Sequence, residues 1–154
     1  MPQLPFMADP FNLQRFVIAQ APMIDIVRDE LTAGAKRTHW MWYIFPQIAG
    51  LGASAMSQTY AISGRAEAQA YINHLILGTH LLDCTNLVLS HRDHTAAQIF
   101  GSIDAAKFRS CMTLFAYVCE DKCCDGHVFT QALSRFFDGI PDPATLERLH
   151  SCKG

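Results

Sequence analysis

Apolar residues in this chain recur every three or four positions, and residues that start or stop helices separate the runs. Phe108, Met112 and Phe115, for example, share one helical face. No run alternates apolar and polar residues as a half-buried strand would, and no β-hairpin signal joins two such runs. The pattern predicts an all-α protein, a single compact domain in which seven to eight helices form an irregular, non-repeat bundle.

Helix boundaries can be read at several positions. Asp9-Pro10 and Asp142-Pro143 each combine an N-cap residue with a proline in the first turn. Residues 95–98 have the Thr-x-x-Gln form of a capping box, Ser54 is a candidate cap, and Gly34 is a candidate helix stop. Residues 39–45 are almost continuously apolar, so periodicity does not separate a buried helix from a short buried strand there.

The length of 154 residues favours one domain. We expect a flexible N-terminal arm over residues 1–8 and a helical domain over residues 9–154. Half of the residues are hydrophobic and only 17% are charged, which argues against disorder. A domain of this size can bury roughly 70% of its unfolded surface, so it needs no disulfide to fold.

Charge and hydropathy exclude several classes of protein. The formal net charge of −2 argues against a nucleic-acid binder, which normally carries a basic face. The apolar runs are far shorter than the roughly 20 residues of a membrane helix, and the first residues do not form a secretory signal. We therefore expect a cytoplasmic protein with reduced cysteines, no membrane partner and no cofactor, as a monomer or weak homodimer.

Several segments together resemble a known family. They are Asp-Pro-Phe-Asn-Leu-Gln-Arg-Phe (9–16), Thr-His-Trp-Met-Trp-Tyr-Ile-Phe-Pro-Gln (38–47), Gly-Leu-Gly-Ala-Ser (50–54), Tyr-Ala-Ile (60–62), Ile-Phe-Gly-Ser-Ile-Asp (99–104), Lys107 and Ser-Cys-Met-Thr-Leu-Phe (110–115). On them the chain is identified as a member of the family catalogued as domain of unknown function 1810, over roughly residues 9–149. The resemblance implies a small helical domain and no established reaction. Some members are labelled calpastatin, but inhibitors of that type are largely disordered, unlike a chain with this composition.

Residues 36–54 are the strongest candidate for a binding site, since they combine both tryptophans with basic, imidazole and amide groups. His39 is the candidate catalytic residue because imidazole titrates near neutral pH. Lys107 and Ser110 share a helix face, where a lysine can activate a serine. The predicted ligand-binding residues are Gln14, Arg15, Gln20, Lys36, Trp40, Trp42, Gln47, Gly50, Gly52 and Ser54.

We therefore predict a pocket around the His-Trp-Met-Trp segment for a polar small molecule, with phosphorylated compounds among the candidates. Each candidate also has a structural interpretation: a hydrogen-bonded histidine, core tryptophans, a plain glycine turn and a solvated lysine. The alternative function is a protein-interaction module that uses the aromatic segment as a groove. Cys119, Cys123, Cys124 and His127 lack the paired spacing of zinc sites, so no metal is predicted there.

Overall fold

The computed structural model describes residues 9–119 and 127–151, and within these ranges the chain is all-helical. The helices are α1 Gln14–Gln20, α2 Ile24–Ala33, α3 Met41–Ile44, α4 Ala55–Thr59, α5 Arg65–Asn73, α6 Leu75–Leu89, α7 Ala96–Phe100, α8 Ser102–Val118, α9 His127–Phe137 and α10 Pro143–Ser151. The all-α prediction is confirmed. Ten helices lie within the described residues, so the predicted count of seven to eight is too low. One reason is that the four-residue helix α3 lies in a segment whose continuous apolarity did not separate helix from strand. The predicted N-terminal arm, residues 1–8, lies outside the described residues.

Most of the predicted helix boundaries are confirmed. Gly34 ends α2 with φ of 74°, a left-handed conformation that glycine adopts without strain. The Ser54 side chain accepts from the Ser57 backbone N–H, and the Thr95–Gln98 capping box is complete. Asp142 accepts from Thr145 N at 3.0 Å, as an N-cap of α10 should.

The start of α1 differs from the prediction. The Asp9 carboxylate accepts from Leu13 N and Gln14 N, but the helix begins only at Gln14. Asn12 has a positive φ of 53°, which interrupts the helix that Asp9-Pro10 would otherwise start. Asp9 therefore caps the turn that precedes α1.

The long helix α8 lies at the centre of the fold and packs against α5, α7, α9 and α10. Its residues Phe108, Cys111, Met112, Leu114 and Phe115 are completely buried. The second long helix, α6, packs against α1, α2, α5 and α9. Among the described residues no helix is long and apolar enough to span a bilayer.

The apolar segment at 39–45 forms the one-turn helix α3 rather than a strand. After it, an isolated parallel β-bridge joins Ile48 to Ile62. Ala49 N donates to Ile62 O at 2.8 Å, and Ile62 N donates to Gln47 O at 2.9 Å. The bridge fixes both ends of the loop that carries the glycines and Ser54, and it positions Gln47 next to α8.

Candidate functional site

A cleft of about 340 Å³ lies between α8, the loop at 47–57 and the start of α10. Four of the predicted site residues line it: Gln47, Gly52, Lys107 and Ser110. The other lining residues are Leu51, Ser57, Ile103, Ala106, Asp142 and Ala144. The structure thus brings together residues from three segments that are distant in sequence. The cleft combines an apolar wall with hydroxyl, amide, ammonium and carboxylate groups.

Lys107 supplies the cation of the cleft. Its Nζ lies 3.5 Å from Asp104 Oδ1 and 5.3 Å from the centroid of the Trp42 ring. The side chain is 23% exposed, so the ammonium group remains accessible from the cleft. Half-buried Trp42 lies beneath this amine and supports it through a cation–π contact.

Gln47 and Ser57 add polar groups on the opposite wall. The backbone carbonyl of Gln47 is used in the bridge to Ile62, but its side-chain amide makes no hydrogen bond to any described residue. Ser57 Oγ accepts from Ser54 Oγ at 2.9 Å. An amide that offers both a donor and an acceptor is well suited to orient a polar ligand.

Ser110 is buried at the base of the cleft. Its Oγ can donate to Ala106 O at 3.2 Å or to Asp142 Oδ2 at 3.3 Å. The same Asp142 oxygen also accepts from the backbone N–H and the hydroxyl of Thr145. Within the described chain no hydrogen bond joins Ser110 to a lysine or histidine, so the predicted activation of this hydroxyl by Lys107 has no direct contact behind it.

The loop glycines determine the shape of the cleft wall. Gly50 has φ of 98°, and a Cβ there would come within 2.5 Å of Arg148 Cζ, whose guanidinium donates to Gly50 O. A Cβ at Gly52 would come within 2.6 Å of Ser57 Oγ. Ser54 caps α4 and stands outside the cleft lining. Gly50 and Ser54 therefore stabilise the conformation of the loop. Gly52 forms the part of the loop surface that faces α8.

Lys36 and Trp40 lie behind this site, in the protein interior. Lys36 Nζ is 2.8 Å from Asp104 Oδ2 and 5.0 Å from the Trp40 ring centroid, and its side chain is 7% exposed. Trp40 is completely buried. Asp104 lies in the first turn of α8 and joins Lys36 to Lys107.

A buried carboxylate, Glu30, organises the aromatic segment. Its Oε1 accepts from Arg37 N, Thr38 N and Trp40 Nε1, and its Oε2 accepts from the Thr38 hydroxyl, all at 2.8–3.1 Å. Burial raises the pKa of Glu30, but these hydrogen bonds outweigh it and lower the pKa to about 2. No sequence pattern singles out Glu30, because a glutamate within a helix is usually on the surface.

We expect the free energy of unfolding to decrease in acid, as Glu30 becomes protonated and loses its charge. Its pKa is lower in the folded state than its ordinary value of 4.5, so its contribution is complete above about pH 4.5 and is lost as the pH falls toward 2. The loss amounts to about 3 kcal/mol. Urea denaturation across this range measures it. A Glu30→Gln variant should lose that part of the pH dependence, and an unchanged profile would contradict the assignment.

His39 lies at the surface, between Thr38 and the buried Trp40. Its ring makes no hydrogen bond, ion pair or ring contact with any described residue, and it is absent from the cleft lining. Neighbouring positions in the chain thus point in opposite directions, Trp40 inward and His39 outward.

The three predicted residues of α1 are placed away from the cleft. Gln14 lines a separate groove with Phe11, Ala70 and His74. Gln20 is buried, with its amide bonded to Tyr43 O, the Tyr71 hydroxyl and His80 Nδ1. Arg15 donates through Nε to Thr59 O, through Nη1 to Phe11 O and Asn12 O, and through Nη2 to Ala61 O and Glu67 Oε2.

Two polar residues of the cleft, Asp142 and Ser57, were not predicted as site residues. Asp142 was interpreted as a helix start, which it is, and Ser57 shows no pattern besides its distance of three residues from Ser54. The only available signal was that Asp-Pro places a carboxylate at a helix end. Their proximity to Lys107 arises from packing between distant segments.

The cysteines of the described residues do not contribute to the cleft. Cys84 and Cys111 are buried, and burial raises the pKa of the Cys84 thiol to about 12 and that of Cys111 well above its ordinary value. Both thiols are therefore protonated and poorly reactive at neutral pH. Of the Cys119–His127 segment, Cys123 and Cys124 lie outside the described residues.

The chain is similar to known proteins both in sequence and in structure. Residues 10–149 match a family described as protein of unknown function, DUF1810. The fold is similar to that in the crystal structure of the conserved hypothetical protein Rv1873 from Mycobacterium tuberculosis, with 44% identity and a TM-score of 0.88. This similarity covers 92% of the present chain and 99% of the other. No curated protein matches.

Proposed function

The chain belongs to the DUF1810 family, and we propose that it binds a small polar molecule with an anionic group in the cleft between α8 and the loop at 47–57. The observation that carries this proposal is the convergence of Gln47, Lys107 and Ser57 on one cleft from separate segments. The cleft volume, about 340 Å³, suits a small metabolite.

The charged, polar and apolar side chains of the cleft have separate roles in binding. Lys107 binds the carboxylate or phosphate of the ligand, with its amine held in place by Asp104 and Trp42. The Gln47 amide and the Ser57 hydroxyl hydrogen-bond the polar part. Ile103 and Leu51 cover the carbon skeleton.

The function proposed is binding rather than hydrolysis. Ser110 already donates to Ala106 O or Asp142, and the Asp142 carboxylate is engaged at the start of α10. His39 lies outside the cleft lining. The His-Trp-Met-Trp segment therefore contributes support through Trp42, and Trp40 belongs to the core.

The alternative, a partner groove formed by the aromatic segment, receives less support. Trp40, Tyr43 and Phe45 are buried and Trp42 is half-buried, so among these four rings only part of Trp42 is exposed. An interaction groove of this type needs accessible apolar side chains for the partner helix or peptide.

A thermal-shift screen tests the binding proposal. Inorganic phosphate and a set of small carboxylates and phosphate esters should include a compound that raises the melting temperature. At a ligand concentration 100-fold above Kd the gain is about 2.7 kcal/mol, or roughly 5–10 °C. Lys107→Ala and Gln47→Ala should each weaken that ligand at least about tenfold.

The control is Arg65→Ala, which removes an exposed cation on α5, outside the cleft. It should leave the ligand-induced shift unchanged, and so should His39→Ala. A ligand that shifts wild type and the Lys107 variant equally would place binding elsewhere. A shift equally reduced by the Arg65 change would indicate nonspecific charge attraction.

A further inference from the structure

His91 and His94 lie in the loop between α6 and α7, packed over the C-terminal end of α2. Their ring centroids are 4.9 Å apart, and the ring planes are inclined by 61°. Both rings lie beside Gly34, the residue that ends α2, and a Cβ at that position would meet both of them. This pair lies outside the cleft described above, and no role has been assigned to it so far.

The hydrogen bond of His91 determines its tautomer. His91 Nε2 lies 2.6 Å from the carbonyl oxygen of Leu31. A carbonyl has no proton to give, so Nε2 must carry the hydrogen and donate it. In the neutral ring Nδ1 is then unprotonated and presents a lone pair. Metal-binding histidines are commonly oriented in this way, with the other ring nitrogen donating to a backbone carbonyl.

One nitrogen of each histidine lies close to the same small space beside Gly34. A Cβ built on Gly34 would lie 3.2 Å from His91 Nδ1 and 3.2 Å from His94 Nε2. Because Gly34 has φ of 74°, glycine is favoured there and no side chain occupies that space. The two nitrogens therefore border a small space beside Gly34, here called the cradle. The side chain of any residue larger than glycine at this position would fill it.

The electrostatic environment of the cradle favours a cation. It adjoins the C-terminal end of α2, where the carbonyls of Glu30 and Leu31 form the negative end of the helix dipole. The guanidinium of Arg135 contacts the backbone carbonyl of His91 and not its ring nitrogens.

We propose that His91 Nδ1 and His94 Nε2 bind a divalent first-row transition-metal ion, with water in the remaining coordination positions. Imidazole nitrogen is a preferred ligand of Zn²⁺, Ni²⁺ and Cu²⁺. Within the described ranges no cluster of three or more candidate metal ligands occurs. The site is therefore an exchangeable surface site, which joins the loop after α6 to the end of α2 when the ion binds.

Isothermal titration with Ni²⁺ tests this site. Wild type should bind one equivalent, and His94→Ala should weaken binding at least about tenfold. His94 is exposed and its only described contacts are with His91 and Gly34, so this variant should fold normally. The matched control is His39→Ala, which removes another exposed imidazole and should change Kd less than twofold.

Nitrogen-15 NMR of the histidine side chains provides a second readout. Before metal is added, His91 should show a protonated Nε2 and an unprotonated Nδ1, and Zn²⁺ should shift His91 Nδ1 and His94 Nε2 together. Absence of Ni²⁺ binding by wild type would overturn the proposal. So would equal Kd values in wild type and His94→Ala, or Zn²⁺ shifts confined to other histidines.

Discussion

Replacing Arg15 with alanine should lower the free energy of unfolding by about 3–5 kcal/mol, a large share of the stability of a domain of this size. All five N–H groups of the guanidinium donate, four of them to backbone carbonyls just before α1 and at or just after the C-terminal end of α4. The fifth binds Glu67, whose side chain is 3% exposed. Urea denaturation of wild type and variant measures the difference.

The physical reason for this loss is the charge left behind at Glu67. Without Arg15, its carboxylate keeps only the bond from Ser63 N, at 2.8 Å, and remains largely desolvated. Arg15→Lys should recover only part of the stability, because an ammonium group cannot form five divergent hydrogen bonds in one plane.

Arg28→Ala is the matched control for Arg15. Arg28 pairs with Asp83 at 3.3 Å, but these side chains are 40% and 51% exposed. Exposed pairs of this type contribute at most about 1 kcal/mol. Equal losses in the two variants would refute the structural role assigned to Arg15.

Replacing Glu30 with alanine should destabilise the protein by a similar amount, about 3–5 kcal/mol. The change leaves four donors without their acceptor: Arg37 N, Thr38 N, the Thr38 hydroxyl and the completely buried Trp40 indole N–H. Each unsatisfied buried donor costs about 1–3 kcal/mol, reduced where water can reach the backbone of the loop. Chemical denaturation at neutral pH measures the loss.

The adjacent acidic residue provides the control for Glu30. Asp29 lies on the same helix but is exposed and makes no hydrogen bond or ion pair with a described residue, so Asp29→Ala should change stability by less than about 0.5 kcal/mol. Tryptophan fluorescence should also report a changed environment of Trp40 in the Glu30 variant only. A stable Glu30→Ala protein with unchanged fluorescence would show that Thr38 and Trp40 do not depend on this carboxylate.

For Arg15 and Glu30, the role in the structure differs from what the sequence indicated. Arg15 was predicted to bind a ligand, whereas its described contacts are all within the protein. Glu30 carried no sequence signal, although it determines how Trp40 is oriented. In both cases hydrogen-bonding partners lie on other segments of the chain, and tertiary packing brings those segments close.

The helices, by contrast, follow from local rules. The cap at Ser54, the box at Thr95–Gln98 and the stop at Gly34 were all predicted, because each depends on residues within four positions of one another. Local rules were insufficient at two places. The positive φ of Asn12 delays the start of α1. At 39–45, the continuous run of apolar residues does not reveal a one-turn helix.

The sequence by itself determined the helical class of the protein, most of its caps and its family, because helix periodicity and capping depend on near neighbours. Only the tertiary structure decided which polar residues meet. It brought Gln47, Lys107 and Ser110 to one cleft, turned His39 to the surface and placed Arg15 in an internal network. The reason is physical: each position depends on contacts between residues tens of positions apart, and hydrophobic packing of the whole bundle sets those contacts.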